Sequence, residues 1–218
     1  MHGSVARLVA HASVALRAAC ANQARSPAPP DPLFVKLAAQ HFDSLQRDTV
    51  IRRLTGAKTG LEVIGSQPID AFWRLSDSEM VSFARLLAES LEKVDTITCG
   101  TFANSGAWTQ NFTKLTFMVD SSLALRWVVL FDELVRTGLE DKPRGDTASS
   151  AEVSTAVSAV TKSLPPAERV QILQALTSPD GSLAGRCLFA VRYFHTFGDM
   201  TPSRAGPILR SLLGPPPE

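Results

Sequence analysis

The sequence predicts an all-α protein: a single compact bundle of about seven or eight helices, mostly with antiparallel neighbours. Three observations carry this. Alanine, leucine, serine and arginine are plentiful while tyrosine occurs once, a composition that suits helices better than packed strands. Helix-opening patterns recur along the chain, three of them with capping-box spacing just ahead of apolar runs. Between these openings, apolar residues return at spacings of three and four, the period of a helix with one buried face.

Asp31-Pro32 opens the first helix, an N-cap followed by the residue best tolerated at the first helical position. Leu33, Leu37 and His41 share its face. Asp43-Ser44-Leu45-Gln46 has the capping-box pattern for a second helix, which runs through Val50, Ile51 and Leu54 and stops at Gly56. Ser76-Asp77-Ser78-Glu79 is the clearest capping box, with Leu75 and Met80 placed as a hydrophobic staple across it. Met80, Phe83, Ala84, Leu87, Leu91 and Val94 then form a continuous stripe that delivers the chain to Cys99.

Residues 100–111, with Gly100 and Gly106, read as loop. "TKLTFMV" alternates briefly, but one short strand would lack a partner, so helix or coil is expected there. From Ser121 to Thr137 the pattern changes. Leu123, Trp127, Leu130 and Leu134 make one stripe, and Ala124, Val128, Phe131 and Val135 make a second beside it. A helix this apolar is expected at the centre of the bundle.

Residues 138–150 read as a polar, mobile loop. Ser149 and Glu152 form a capping box for a helix whose Val153, Val157 and Val160 face inward. The prolines of "LPPAERVQILQAL" open the next, with Val170, Leu173 and Leu176 as its apolar set. "SPDG" turns the chain. Leu183, Cys187, Ala190, Phe194 and Phe197 line one side of the following helix, and Thr201-Pro202 caps the last, with Ala205, Ile208, Leu209 and Leu212 buried. The expected organisation is a helical domain over 31–214, a frayed tail over 215–218, and a separate segment over 1–30.

That segment supports two readings. Arg7, the apolar stretch Leu8–Ala19 and Ala19-Cys20-Ala21 follow the order of a secretory leader. His11 and Arg17 interrupt its apolar part, as they would in an ordinary helix or tail. "SPAPPDP" is a stiff linker under either reading.

Charge and motifs exclude several functions. A net charge of +1 does not suit a nucleic-acid or membrane surface, and no nucleic-acid partner is expected. No run of 18 apolar residues occurs, so no transmembrane segment is expected. "TGAKTG" lacks the glycine before lysine that a phosphate loop needs; Ala57 stands there, and Arg52 replaces the earlier glycine. "RGD" at 144–146 and the sequon at 111–113 are three-residue matches of little weight.

His2, His11, His41 and His195 show no metal-ligand spacing, and no metal or other cofactor is expected. Cys187 and His195 stand eight positions apart on one helix, about 12 Å along its axis, too far for a catalytic pair. There is no Gly-x-Ser-x-Gly elbow and no paired-carboxylate pattern. No catalytic residue is assigned, and the chain reads as a non-enzyme. The helix pair around "LPPAERVQILQAL" offers only Arg186 and Arg192 to phosphates, against DNA binding.

The cysteines point to a compartment. With Cys20 in or beside a leader, Cys99 and Cys187 remain as a pair. Each sits where its helix stripe faces inward, so the two are placed either to form a disulfide or to serve as separate core thiols. The disulfide and leader readings together indicate a helical binding protein of the bacterial cell envelope, periplasmic or held by its N-terminus; the alternative is cytoplasmic. Trp73, Trp108 and Trp127 are the candidate contact residues for a protein partner or a second copy. Two other readings stand beside it: a bundle binding a small apolar molecule or lipid along the Trp127 helix, and a cytosolic enzyme or regulator.

Overall fold

The computed structural model describes residues 36, 39–40, 43, 47–49, 68–104, 115, 118–140, 142–177 and 181–212. The chain divides into Met1–Pro30 and Asp31–Glu218, and all described residues belong to the second unit. Several sequence expectations fall outside the described residues: the leader-like segment with Cys20, most of the two helices before Gly56, the 55–60 turn, Trp108, the sequon, the 178–180 turn and the 213–218 end.

Eight helices stand among the described residues, with no strand. They are α1 (Pro68–Arg74), α2 (Asp77–Lys93), α3 (Thr96–Asn104), α4 (Ser121–Leu139), α5 (Ser150–Ser163), α6 (Pro166–Thr177), α7 (Leu183–Asp199) and α8 (Pro202–Leu212). The all-α class is as expected. Leu115 and Met118 are helical, not extended.

The two capping boxes that lie wholly within the described residues form; the one read at 43–46 lies mostly outside them. Ser76 Oγ accepts from the Glu79 amide while the Glu79 carboxylate accepts from the Ser76 amide, and Ser149 and Glu152 repeat the arrangement. Each box satisfies two amides that a helix start leaves without partners. Leu75 and Met80, on either side of the first box, are fully buried.

α2 is buried over more than its predicted stripe, with Ser78, Ser82, Arg85, Glu92 and Lys93 left on its exposed face. Beyond its predicted stripe, Val81, Leu86, Ala88 and Ser90 are also buried. It packs against α4, α7 and α8, while α7 packs against α2, α3 and α6. The centre of the described bundle is therefore the α2–α7 pair. α7 runs antiparallel to α2: His195 meets Glu92, and further along Gly198 lies against Arg85, where an added Cβ would come within 2.6 Å of Arg85 Cγ.

α4, expected at the centre, also contributes deeply buried residues. Its first stripe, Leu123, Trp127, Leu130 and Leu134, is buried, and α4 packs on α1 and α2. Of its second stripe, Ala124 and Val128 are buried and Phe131 is half-buried; outside both stripes, Leu125 is half-buried and Val129 is exposed.

Two further expectations change. Residues 142–149 do lack regular structure, but they are pinned rather than mobile. The Gly145 amide donates to Trp73 O at 2.7 Å, the Ala148 amide donates to Pro207 O at 3.1 Å, and Ser211 Oγ donates to Ala148 O at 2.9 Å. Polar and glycine-rich composition marks the absence of a helix; it does not reveal distant partners. In α6, Ile172 and Ala175 are buried, while Val170, Leu173 and Leu176 face solvent.

Candidate functional site

The turn from α2 into α3 is built by Asp95. Its Oδ1 accepts from the amides of Ile97 and Thr98 at 3.0 Å, and its Oδ2 accepts from Thr98 Oγ1 at 2.6 Å. The Thr98 hydroxyl, with these amides, holds the Asp95 carboxyl below its ordinary range. The residues read as loop after Cys99 are helical as far as Asn104.

Gly100 explains that error. An added Cβ would lie 2.3 Å from the carbonyl oxygen of Leu183. The glycine does not end a helix; it lets α3 approach the start of α7 backbone to backbone. One position earlier, Cys99 is fully buried and its sulfur lies at bonding distance from that of Cys187, 2.07 Å, with Cα atoms 5.0 Å apart. The two late cysteines are thus brought together, joining α3 to α7.

The tryptophans are placed differently from the expectation. Trp73 and Trp127 are core residues, 3% and 0% exposed, so neither is a surface anchor. Trp127 packs edge-on to Phe83 and beside Phe131, and its Nε1 donates to Ser90 Oγ at 2.8 Å. Ser90 Oγ in turn donates to Leu86 O at 2.7 Å. A large ring with a satisfied polar edge is well suited to a core.

A second polar cluster lies inside the protein and was not anticipated. Arg210, on the buried side of α8, is 1% exposed. Its Nη1 donates to Asp77 Oδ1 and to Asp146 O, and its Nη2 to Leu75 O. Two glycines leave room for it. A Cβ on Gly145 would sit 2.3 Å from Arg210 Cζ, and one on Gly206 would sit 2.2 Å from Asp77 Oδ1. The guanidinium thereby ties together the start of α2, the 142–149 segment and α8, with every acceptor a fixed oxygen. Its role is structural. Arg144, Gly145 and Asp146, the "RGD" stretch, lie on this segment.

Other surface features offer little chemistry. An open groove of about 650 Å³ between the 142–149 segment, α5 and α8 is lined in part by Asp146, Glu152, Thr155, Ser203 and Arg204. Glu152 is already engaged by Ser149, and the rest of the lining mixes polar side chains with Ala148, Ala151, Ala156, Pro207 and Ile208. His195 Nε2 lies 2.9 Å from Glu92 Oε1, a solvent-facing pair. Among the described residues, no three His, Cys, Asp or Glu side chains gather to hold a metal ion. Among them too, no helix is long and apolar enough to cross a membrane.

The exposed apolar residues are the clearest departure from an ordinary surface. Val170, Leu173 and Leu176 of α6 are 53%, 46% and 50% exposed. They occupy one side of a helix whose other side, Ile172 and Ala175, is packed on α7. Their helical spacing is visible in the sequence, but it also fits a buried face; the competing face of Ile172 and Ala175 is the one packed, with Ala175 permitting close approach to Gly185. An added Cβ on Gly185 of α7 would lie 2.5 Å from Ala175 Cβ. Compared with known protein families, with curated proteins and with solved structures, the chain finds no match.

Proposed function

We propose that this chain is a non-enzymatic helical interaction protein of the bacterial cell envelope, working as a rigid scaffold that meets its protein partner through the outer face of α6. The observation that carries this reading is the outward apolar stripe Val170–Leu173–Leu176. A helix that is apolar on both sides is ordinarily covered on both, and a contiguous apolar surface of this kind marks a contact site. The compartment rests on the Cys99–Cys187 pair at bonding distance, since disulfides persist in oxidising surroundings.

Two measurements test it. A photo-crosslinking residue at Val170, in the protein expressed in its own cells, is expected to give a protein adduct, while the same residue at exposed Ser158 of α5 gives none. Absence of an adduct at Val170 overturns the contact. Thiol titration of the denatured native protein is expected to find Cys99 and Cys187 blocked until reductant is added; free thiols at both positions overturn the envelope assignment.

A further inference from the structure

We propose that the groove between α5, α8 and the 142–149 segment binds a small ligand with a carboxylate at one end of an aliphatic chain and a cation at the other, the chemistry of a basic amino acid. None of its lining residues belongs to α6, and the reading does not depend on the α6 contact. The groove holds no catalytic constellation. What it holds is a pair of opposite charges that do not meet.

The space itself follows from side-chain size. α5 faces the groove with Ala151, Glu152, Thr155 and Ala156, and α8 faces it with Arg204, Pro207 and Ile208. Each set lies on one side of its helix. Alanine reaches less far than the leucine or isoleucine of a packed helix pair, and a volume of about 650 Å³ stays open, within the range of small-molecule sites.

Among the described residues, the side chains of Asp146 and Arg204 have no hydrogen-bond or ion-pair partner, although both line this groove. Arg126, Arg136, Arg192 and Arg210 each meet a carboxylate; Arg204 does not. The main chain of Asp146 is fixed, because its carbonyl accepts from buried Arg210. The residue is therefore held at the groove edge with its carboxylate available, which lowers the cost of ordering it on binding.

α8 adds a backbone acceptor. Pro207 stands inside this helix and has no amide hydrogen, so the Ser203 carbonyl lacks its helical donor four residues on. Ser203 lines the groove too. A carbonyl beside a guanidinium is matched by a carboxylate with an N–H group on the adjoining carbon, as at the carboxyl end of an amino acid or a peptide.

The charge balance sets the other end of the ligand. The Ser149 hydroxyl and amide hold the Glu152 carboxyl below its usual range, so it keeps its charge. Two carboxylates then face one guanidinium, and the ligand brings the missing cation to Asp146 while its chain lies on Ala148, Ala151 and Ile208. Solvent-exposed charge pairs contribute little singly, so the affinity is about millimolar.

Amide proton–nitrogen shifts of the full chain, titrated with L-lysine at low salt, test this. Saturable shifts are expected at Thr147, Ala151 and Arg204. Cadaverine, without the carboxylate, and norleucine, without the side-chain cation, should each bind at least about threefold more weakly. Arg204→Gln and Asp146→Asn should each weaken lysine binding to the same extent, and as exposed substitutions both should melt with the wild type. Ala151→Leu should fill the groove and abolish binding. Nα-acetyl-lysine that matches lysine identifies a peptide end as the ligand; one that binds at least about threefold more weakly identifies the free amino acid. Absence of saturable shifts up to about 20 mM lysine overturns the proposal. So does cadaverine or norleucine binding equal to that of lysine, or an affinity that either charge variant leaves unchanged.

Discussion

Arg210 Nη1 donates to Asp77 Oδ1 at 2.8 Å, joining the last helix to the first turn of α2 across 133 residues of sequence. The arginine is buried and the aspartate is about one-third exposed. The guanidinium also holds two backbone carbonyls, so its loss would leave several oxygens without a donor.

Arg210→Met is accordingly expected to destabilise the protein by about 3–5 kcal/mol. The amides of Gly145 and Ala148, which are bonded across to Trp73 and Pro207, should exchange hydrogen faster in the variant. Exchange unchanged at both positions would show that Arg210 does not hold the 142–149 segment. Arg210→Lys should recover little, because a single ammonium cannot reproduce the planar fork.

The Cys99–Cys187 pair spans a sequence separation of 88. In the chain-entropy account, such a closure is worth about 4–5 kcal/mol. Urea unfolding with and without reductant measures it: the oxidised wild type should lose stability of that order on reduction. A Cys99→Ala, Cys187→Ala double variant should behave like the reduced form and show no response to reductant.

Ser90 and Trp127 form a contact that a double-mutant cycle can isolate. Ser90→Ala leaves the buried indole N–H without its acceptor, at an expected cost of about 1–3 kcal/mol. Trp127→Phe removes the donor and some apolar volume. The double variant should be less destabilised than the sum of the two by about 1 kcal/mol. Additive losses would mean that the hydrogen bond contributes nothing measurable.

Asp95 makes the start of α3 sensitive to acid. Its carboxyl is held below the ordinary value of 3.8 by Thr98 and the adjoining amides. A carboxyl lowered in the folded state stabilises the fold above its unfolded value, and that contribution fades as the pH falls through the folded value. Asp95→Ala should therefore cost about 1 kcal/mol at neutral pH. The difference from wild type should narrow at pH values below about 4. A gap that is constant with pH would assign the cost to the lost acceptor alone.

The legible parts of this fold are those written in short sequence windows. Both capping boxes, the α2 stripe and the buried residues of α8 follow from spacing and cap chemistry within a few positions. The inward placement of Cys99 and Cys187 was legible, but it fitted a bridge and separate core thiols alike; Cys99 stands on α3 rather than at the end of α2, and the close approach of α3 to α7 at Gly100 brings the sulfurs together. What escaped was decided by distant partners. Gly100 signals a turn locally, yet its role is set by a carbonyl of α7. Val170, Leu173 and Leu176 have the spacing of a core face, and the choice against them was made by the small residues at Ala175 and Gly185. Arg210 sits among buried neighbours because acceptors from α2 and the 142–149 segment converge on it, and no local pattern announces that.

Joined at sulfur, residues 99–187 close into a covalent ring that contains all of α4, α5 and α6. A single break in the backbone anywhere inside the ring leaves no free fragment: the two pieces remain one molecule until a reductant parts them. The exposed stretch at Lys142–Arg144 lies inside the ring, so a cut there would leave its two ends tethered through the sulfur bridge.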